Sequence, residues 1–236
     1  MNPYVLGLDL GQAQDFTALS LVEVVRPEPG AGAQESSGRR EPIFDVRHLE
    51  RFPLRTPYPE IVARVRAMLQ TDPLKGRTWT AADATGVGAP VIDLLTQAGV
   101  TPLVAVTITG GTETIKDPGG KAFRVPKRDL VSGLQVLLQN HRLRIAKGLP
   151  ETPTLERELL NFQVKISLDT GHDSYGTPWR EGLHDDLVLC VALSCWYGAR
   201  LPGPRQRFSI ARTRRPAAVR HPGWSRHVGG FLTGVG

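Results

Sequence analysis

An acidic residue set inside an apolar strand is the feature that most constrains this chain. Tyr4-Val5-Leu6-Gly7-Leu8-Asp9-Leu10 reads as a buried central strand. An ionised carboxylate there is costly unless something compensates it, so the fold has to bring a compensator to Asp9. Residues 17–25 form a second apolar run, and Gly11 to Asp15 supply a hairpin-like turn between the two. Residues 43–52 offer a third strand. The domain therefore opens with three antiparallel strands.

The pattern then changes. Residues 57–70 place Ile61, Val65, Met68 and Leu69 at helical spacing, and residues 78–83 read as a strand. After the turn Thr85-Gly86-Val87-Gly88, Pro90 suits a first helical position, Ile92, Leu94 and Leu95 give apolar surface, and Gly99 suits the C-terminal cap. A strand over 103–108 follows. Strand, helix, strand, helix, strand requires crossover connections and parallel pairing. The expectation is an α/β fold: a mixed five-stranded sheet, three antiparallel strands and then parallel ones, flanked by helices. Further helices are predicted over 127–140 and 154–162, with a short extended piece at 142–145. Residues 187–196 are apolar nearly all round, which predicts a helix buried against the sheet.

With 236 residues, 40% of them apolar, the chain has the bulk for one sizeable domain, placed at 1–203. No run approaches the roughly 20 apolar residues of a membrane span, and Met1-Asn2-Pro3-Tyr4 lacks a secretion pattern. A soluble intracellular protein is expected. Cys190 and Cys195 read as core filler, since their spacing suits neither a disulfide framework nor a C-x-x-C metal site. The net charge of +6 is unevenly placed. Residues 204–236 hold seven arginines and no acid, whereas residues 1–203 hold 22 basic and 23 acidic residues. That Arg-rich tail is expected to be disordered when free and to suit a polyanion, or to be a solvated terminus. Residues 26–38, rich in Pro, Gly and Ser, read as an exposed mobile loop.

Side chains alternate along a strand, so Val5, Gly7 and Asp9 share one face, and Gly7 would leave room beside the carboxylate for a metal or phosphate. Asp9 could instead cap the Gly11 turn. Asp83 repeats the arrangement at the end of another strand, after Ala81 and Ala82, and could likewise simply make a turn. Gly182-Leu183-His184-Asp185-Asp186 precedes the buried helix, where a helix start favours negative charge and a cap is the ordinary use of an aspartate. Taken together these acids mean more. The first and fourth strands are natural neighbours, and the last helix can pack across them, gathering Asp9, Asp83 and Asp186. At about 4 Å and an effective dielectric near 20, each like-charge pair repels by roughly 4 kcal/mol, relieved by protonation or by divalent cations. All-oxygen ligation favours Mg²⁺ or Mn²⁺.

Gly7-Leu8-Asp9-Leu10-Gly11 with Asp15 and Thr17-Ala18-Leu19, Ala82-Asp83-Ala84-Thr85-Gly86-Val87-Gly88, Val125-Pro126-Lys127 with Leu130, and His184-Asp185-Asp186-Leu187 resemble, in order and spacing, the nuclease domain of phage terminase large subunits. The resemblance runs from residue 4 to about 198. It implies a ribonuclease H-like fold and a two-metal endonuclease that cuts concatemeric double-stranded DNA during genome packaging, in the cytoplasm of an infected or lysogenic bacterial host. By position, Asp9, Asp83 and Asp186 or Asp185 match the metal ligands, with His184 and Asp15 as adjacent candidates. The implied cofactors are two Mg²⁺ or Mn²⁺ ions. Lys127 and Arg128, with Arg205, Arg207, Arg212, Arg214 and Arg215 of the tail, are the expected DNA contacts. No G-x-x-x-x-G-K-[S/T] phosphate loop occurs in the chain, so a packaging ATPase is expected as a separate domain or subunit, alongside small terminase and portal.

Three other readings stay open at this level. Asp9-Leu10-Gly11 followed by Thr17 resembles the first phosphate-binding hairpin of actin-like and sugar-kinase ATPases. Holliday-junction resolvases share the acidic pattern. A catalytically silent packaging scaffold could retain the fold. Residues 167–181 read either as a DNA-facing hairpin or as ordinary loop.

Overall fold

The computed structural model describes residues 1–11, 14–27, 41–86, 88–168 and 184–202. The chain runs β1 (Tyr4–Asp9), β2 (Ala18–Val25), β3 (Ile43–Arg51), α1 (Tyr58–Leu69), β4 (Thr78–Asp83), α2 (Gly88–Gln97), β5 (Leu103–Thr109), β6 (Ile115–Lys116), β7 (Ala122–Pro126), α3 (Lys127–Gln139), β8 (Leu143–Ile145), α4 (Thr152–Leu168) and α5 (Asp186–Arg200). The tail at 204–236 and most of the expected 26–38 loop and 167–181 hairpin lie outside the described residues.

The mixed sheet is present, and its five expected strands are contiguous in the order β5-β4-β1-β2-β3. β1 to β3 pair antiparallel, while β1 with β4 and β4 with β5 pair parallel. Five strands is nevertheless too few. β7 and then β6 extend one edge and β8 the other, giving eight. β6 and β8 are two and three residues long, β8 falling within the extended piece expected at 142–145, whereas β7 is five residues long and alternates buried Phe123, exposed Arg124 and buried Val125. α2 begins at Gly88, so Pro90 stands inside its first turn rather than at its first position, while Gly99 takes the left-handed conformation expected of it, φ 76°.

Alternation along β1 divides the core. Leu6 and Leu8 pack with Ile61 and Val65 of α1 and Val91 and Leu95 of α2 on one face. Val5 packs with Leu130 of α3, Leu155 of α4 and Leu187 and Val191 of α5 on the other. β1 is consequently buried along its whole length. Both cysteines are free and buried in the second layer, as filler.

The open space expected beside Gly7 does not exist. A methyl group there would overlap the carbonyl oxygen of Cys190 and crowd Ser194 Oγ. Gly7 is small because the α5 backbone lies directly on β1. Hydroxyls complete the seam: Ser20 Oγ donates to the Cys190 carbonyl at 2.9 Å and lies 2.8 Å from Ser194 Oγ. This close approach sets where the first residues of α5 meet the ends of β1 and β4.

Candidate active site

Asp9 closes β1, and Asp83 closes β4, its parallel neighbour, where Leu8 is already opposite Ala82. The two carboxyls therefore stand side by side, within hydrogen-bonding reach of each other. Asp186, the first residue of α5, and Asp185 before it approach from above the sheet. Asp9, Asp83 and Asp186 are all buried, at 7%, 8% and 6% exposure. Burial holds the Asp9 carboxyl well above the usual carboxylate range, and the charges of Asp83, Asp186 and Asp185 push it the same way. Burial also raises Asp83, against the pull of Thr85 and Lys127, and raises Asp186, against the pull of Arg51.

Each acid has its own holder. Asp83 Oδ1 accepts from the Thr85 amide at 2.8 Å and from Thr85 Oγ1 at 2.5 Å, and Thr85 Oγ1 in turn accepts from the Ile108 amide at 2.8 Å. Asp83 thus does make a turn, and the same turn fixes its rotamer against β5. Among the described residues of the Gly11 turn, the Gly11 amide donates to Thr17 Oγ1 at 3.1 Å rather than to Asp9. That bond also occupies an N–H which a phosphate-binding hairpin would offer to its ligand. Asp185 stands at the N-cap position of α5 without making a side-chain cap, and its Oδ2 pairs with Lys127 Nζ at 2.9 Å.

The cap of α5 comes from a residue that the sequence pattern did not single out. Glu158 of α4 accepts the amides of Leu187 and Val188 on Oε2, at 2.9 and 3.1 Å. It is buried, and burial pushes its carboxyl up to about 7. With the helix start served by Glu158, the side chains of Asp185 and Asp186 are released for the acidic cluster. The signal lay in α4: Leu155, Glu158 and Phe162 recur at helical spacing, putting a carboxylate on the apolar stripe.

Arg51, at the end of β3, was missed as well. Its guanidinium lies over the Phe16 ring at 3.9 Å, donates to Asp186 Oδ2 at 2.7 Å and stands 3.6 Å from Glu158 Oε1. His184 meets the edge of the Phe16 ring at 5.0 Å between centroids, and its Nδ1 is 3.8 Å from Asp186 Oδ2.

The structure thus gathers Asp9, Asp83, Asp185 and Asp186, with His184 and Lys127 alongside. Asp15 lies half-buried in the β1–β2 loop. Arg128 is engaged elsewhere, donating to the Thr112 carbonyl at 2.8 Å and lying 3.6 Å from Asp129. Arg205, Arg207, Arg212, Arg214 and Arg215 lie outside the described residues. Among the described residues no group of three His, Cys, Asp or Glu side chains stands in metal-ligand geometry; Thr85, Lys127 and Arg51 hydrogen-bond to Asp83, Asp185 and Asp186. The chemistry of the set still fits a hard divalent cation: Asp9 and Asp83 are buried side by side, and Asp185 and Asp186 lie near enough for their charges to raise the Asp9 carboxyl.

No family model matches the sequence, and no curated protein does. Among solved structures, the large terminase nuclease from thermophilic phage G20c matches with a TM-score of 0.50 and 20% identity, over 82% of this chain and 81% of that chain. The chain has the fold of a large terminase nuclease. That terminase-nuclease fold is the ribonuclease H-like arrangement of antiparallel and parallel strands flanked by helices. Two structures of the human cytomegalovirus terminase nuclease domain also match. The Mn-soaked, inhibitor-bound one has a TM-score of 0.44 and 12% identity over 84% of each chain. The Mn-soaked one has 0.43 and 15% over 83% of each. No helix among the described residues is long and apolar enough to cross a membrane.

Proposed function

We propose that this chain is a metal-dependent endonuclease that cuts double-stranded DNA during viral genome packaging. The observation that carries the reading is the meeting of Asp9 and Asp83, at the ends of adjacent parallel strands, with Asp185 and Asp186 at the start of α5, in a chain with the terminase-nuclease fold. Asp9, Asp83, Asp186 and Asp185 would be the carboxylates that hold the two Mg²⁺ or Mn²⁺ ions. Bound divalent cations supply an acidified water as nucleophile and stabilise the departing 3′ oxygen. The protein's own part is orientation and charge. The Thr85 turn fixes Asp83, Glu158 fixes the α5 start, and Lys127, beside Asp185, stands where it can meet a phosphate oxygen. No side chain forms a covalent intermediate.

DNA affinity comes largely from backbone contacts, so sequence preference is weak and binding falls steeply with salt. The domain boundary at 203/204 and the arginines of 204–236 belong to this proposal: deleting the tail flattens the salt slope, and an unchanged slope removes the tail as a DNA contact. A separate packaging ATPase, small terminase and portal are the expected partners, in the host cytoplasm. The decisive test is plasmid nicking with Mn²⁺, comparing the parent with Asp9→Asn and Asp83→Asn. Both substitutions bring metal-dependent cutting to background; cutting that survives both overturns the mechanism.

A further inference from the structure

Arg51 is a basic side chain packed against Asp186 of the acidic cluster, and it is contacted from several elements. Its side chain is 15% exposed. Phe16, from the β1–β2 loop, presents its ring face to the guanidinium, Glu158 of α4 stands beside it, and Asp186 of α5 accepts from it at 2.7 Å. The bond to Asp186 is the short one. Among the described residues Glu158 Oε1 has no hydrogen-bond donor and Arg51 Nε no acceptor, so the planar group is aligned for Asp186 rather than for Glu158. Arg51 donates to Oδ2 of Asp186 at 2.7 Å, and His184 Nδ1 stands 3.8 Å from the same oxygen.

We infer that Arg51 is a positioning residue for the metal-facing carboxylate Asp186, acting through a stacked guanidinium that locks Asp186 to the α4–α5 junction and to the β1–β2 loop. The inference rests on the metal-dependent reading above. A carboxylate on the first turn of a helix has free torsions, and a ligand whose orientation is fixed before the cation arrives loses less freedom on binding it. Arginine suits the role where lysine does not: only a planar fork can lie flat on Phe16 while directing an N–H at the carboxylate. Electrostatics alone would act in the opposite sense, since a cation beside a ligand repels a second cation.

The opposed signs make the test. Mn²⁺ binding to the full-length protein without DNA is measured by calorimetry and by loss of the free-Mn²⁺ paramagnetic resonance signal, for the parent, Arg51→Gln, Arg51→Lys and Phe16→Leu. Positioning predicts binding weakened roughly 10- to 100-fold in Arg51→Gln. Arg51→Lys stays weakened although its charge is kept, and Phe16→Leu is weakened to a smaller degree. The Mn²⁺ midpoint for plasmid nicking moves by the same factor, while the KM for DNA at saturating Mn²⁺ stays at the parent value. Arg51→Gln that binds Mn²⁺ as tightly as the parent, or more tightly, overturns the inference, as does full recovery in Arg51→Lys. If Arg51→Gln does not fold, Phe16→Leu decides, and parent-like Mn²⁺ binding there overturns it too. A parent that binds no Mn²⁺ removes the metal site itself, a failure separate from that of Arg51.

Discussion

Asp9 and Asp45 are the same residue type, each 7% exposed, in one sheet, yet their surroundings are opposite. Asp45, on β3, receives Arg144 Nε at 2.6 Å and Arg47 at 2.7 Å. Asp9, two strands away, faces Asp83, Asp185 and Asp186. At Asp45 the fold has neutralised a buried acid with one cation from its own strand, Arg47, and one from neighbouring β8, Arg144. At Asp9 it has collected acids and so stored electrostatic repulsion, a concentration of negative charge that local stability does not call for.

The largest effect expected from disturbing this contrast is that of Gly7→Ala. The added methyl meets the α5 backbone, which must lift, costing about 3 kcal/mol in urea unfolding and carrying Asp185 and Asp186 away from Asp9 so that nicking falls with it. An alanine variant with parent stability and activity would mean that α5 does not set the cluster. Asp9→Asn works the other way: metal-free protein at neutral pH gains about 0.5–2 kcal/mol while activity is lost. The gain depends on pH with a definite sign. The folded Asp9 carboxyl titrates well above its ordinary 3.8, so its contribution to stability is complete below that value and is lost as pH rises through the folded one. Glu158, up from 4.5 to about 7, behaves alike. Parent stability in chelator therefore declines as pH is raised from about 4 toward neutrality, and Asp9→Asn declines less; parallel curves would remove the stored repulsion. Smallest is Asp45→Asn, whose two arginine partners are half-exposed: under about 1 kcal/mol, with nicking unchanged. Loss of cutting there would erase the distinction between the two regions.

The Asp9 side of this contrast is legible in the sequence, and the Asp45 side is not. Asp9 and Asp83 each end an apolar run, and in the expected mixed sheet the first and fourth strands are natural neighbours, so the pattern anticipates their meeting. Gly7 was misread, because a missing side chain signals close approach as readily as open space, and only the packing partner decides which. Arg51 escaped notice because it ends its strand, after Leu49 on the same face, where a charge reads as ordinary solvent contact. Glu158 could have been found, being an acid within the apolar stripe of α4, but its partners are backbone amides 29 and 30 residues away, and no side-chain pattern records amides. β6, at two residues, is too short to read, whereas β7 carries a short alternation, Phe123-Arg124-Val125, that marks it as a strand.

The hydroxyl seam between α5 and the sheet has a consequence of its own. A helix advances about 1.5 Å and turns about 100° per residue, so sliding α5 by a single position would swing both of its aspartates off target. Ser20 and Ser194 forbid that slide, since each loses its counterpart if the helix moves. Natural variation at these two serines should accordingly be as restricted as at the acids themselves, although neither serine would ever touch a reacting atom.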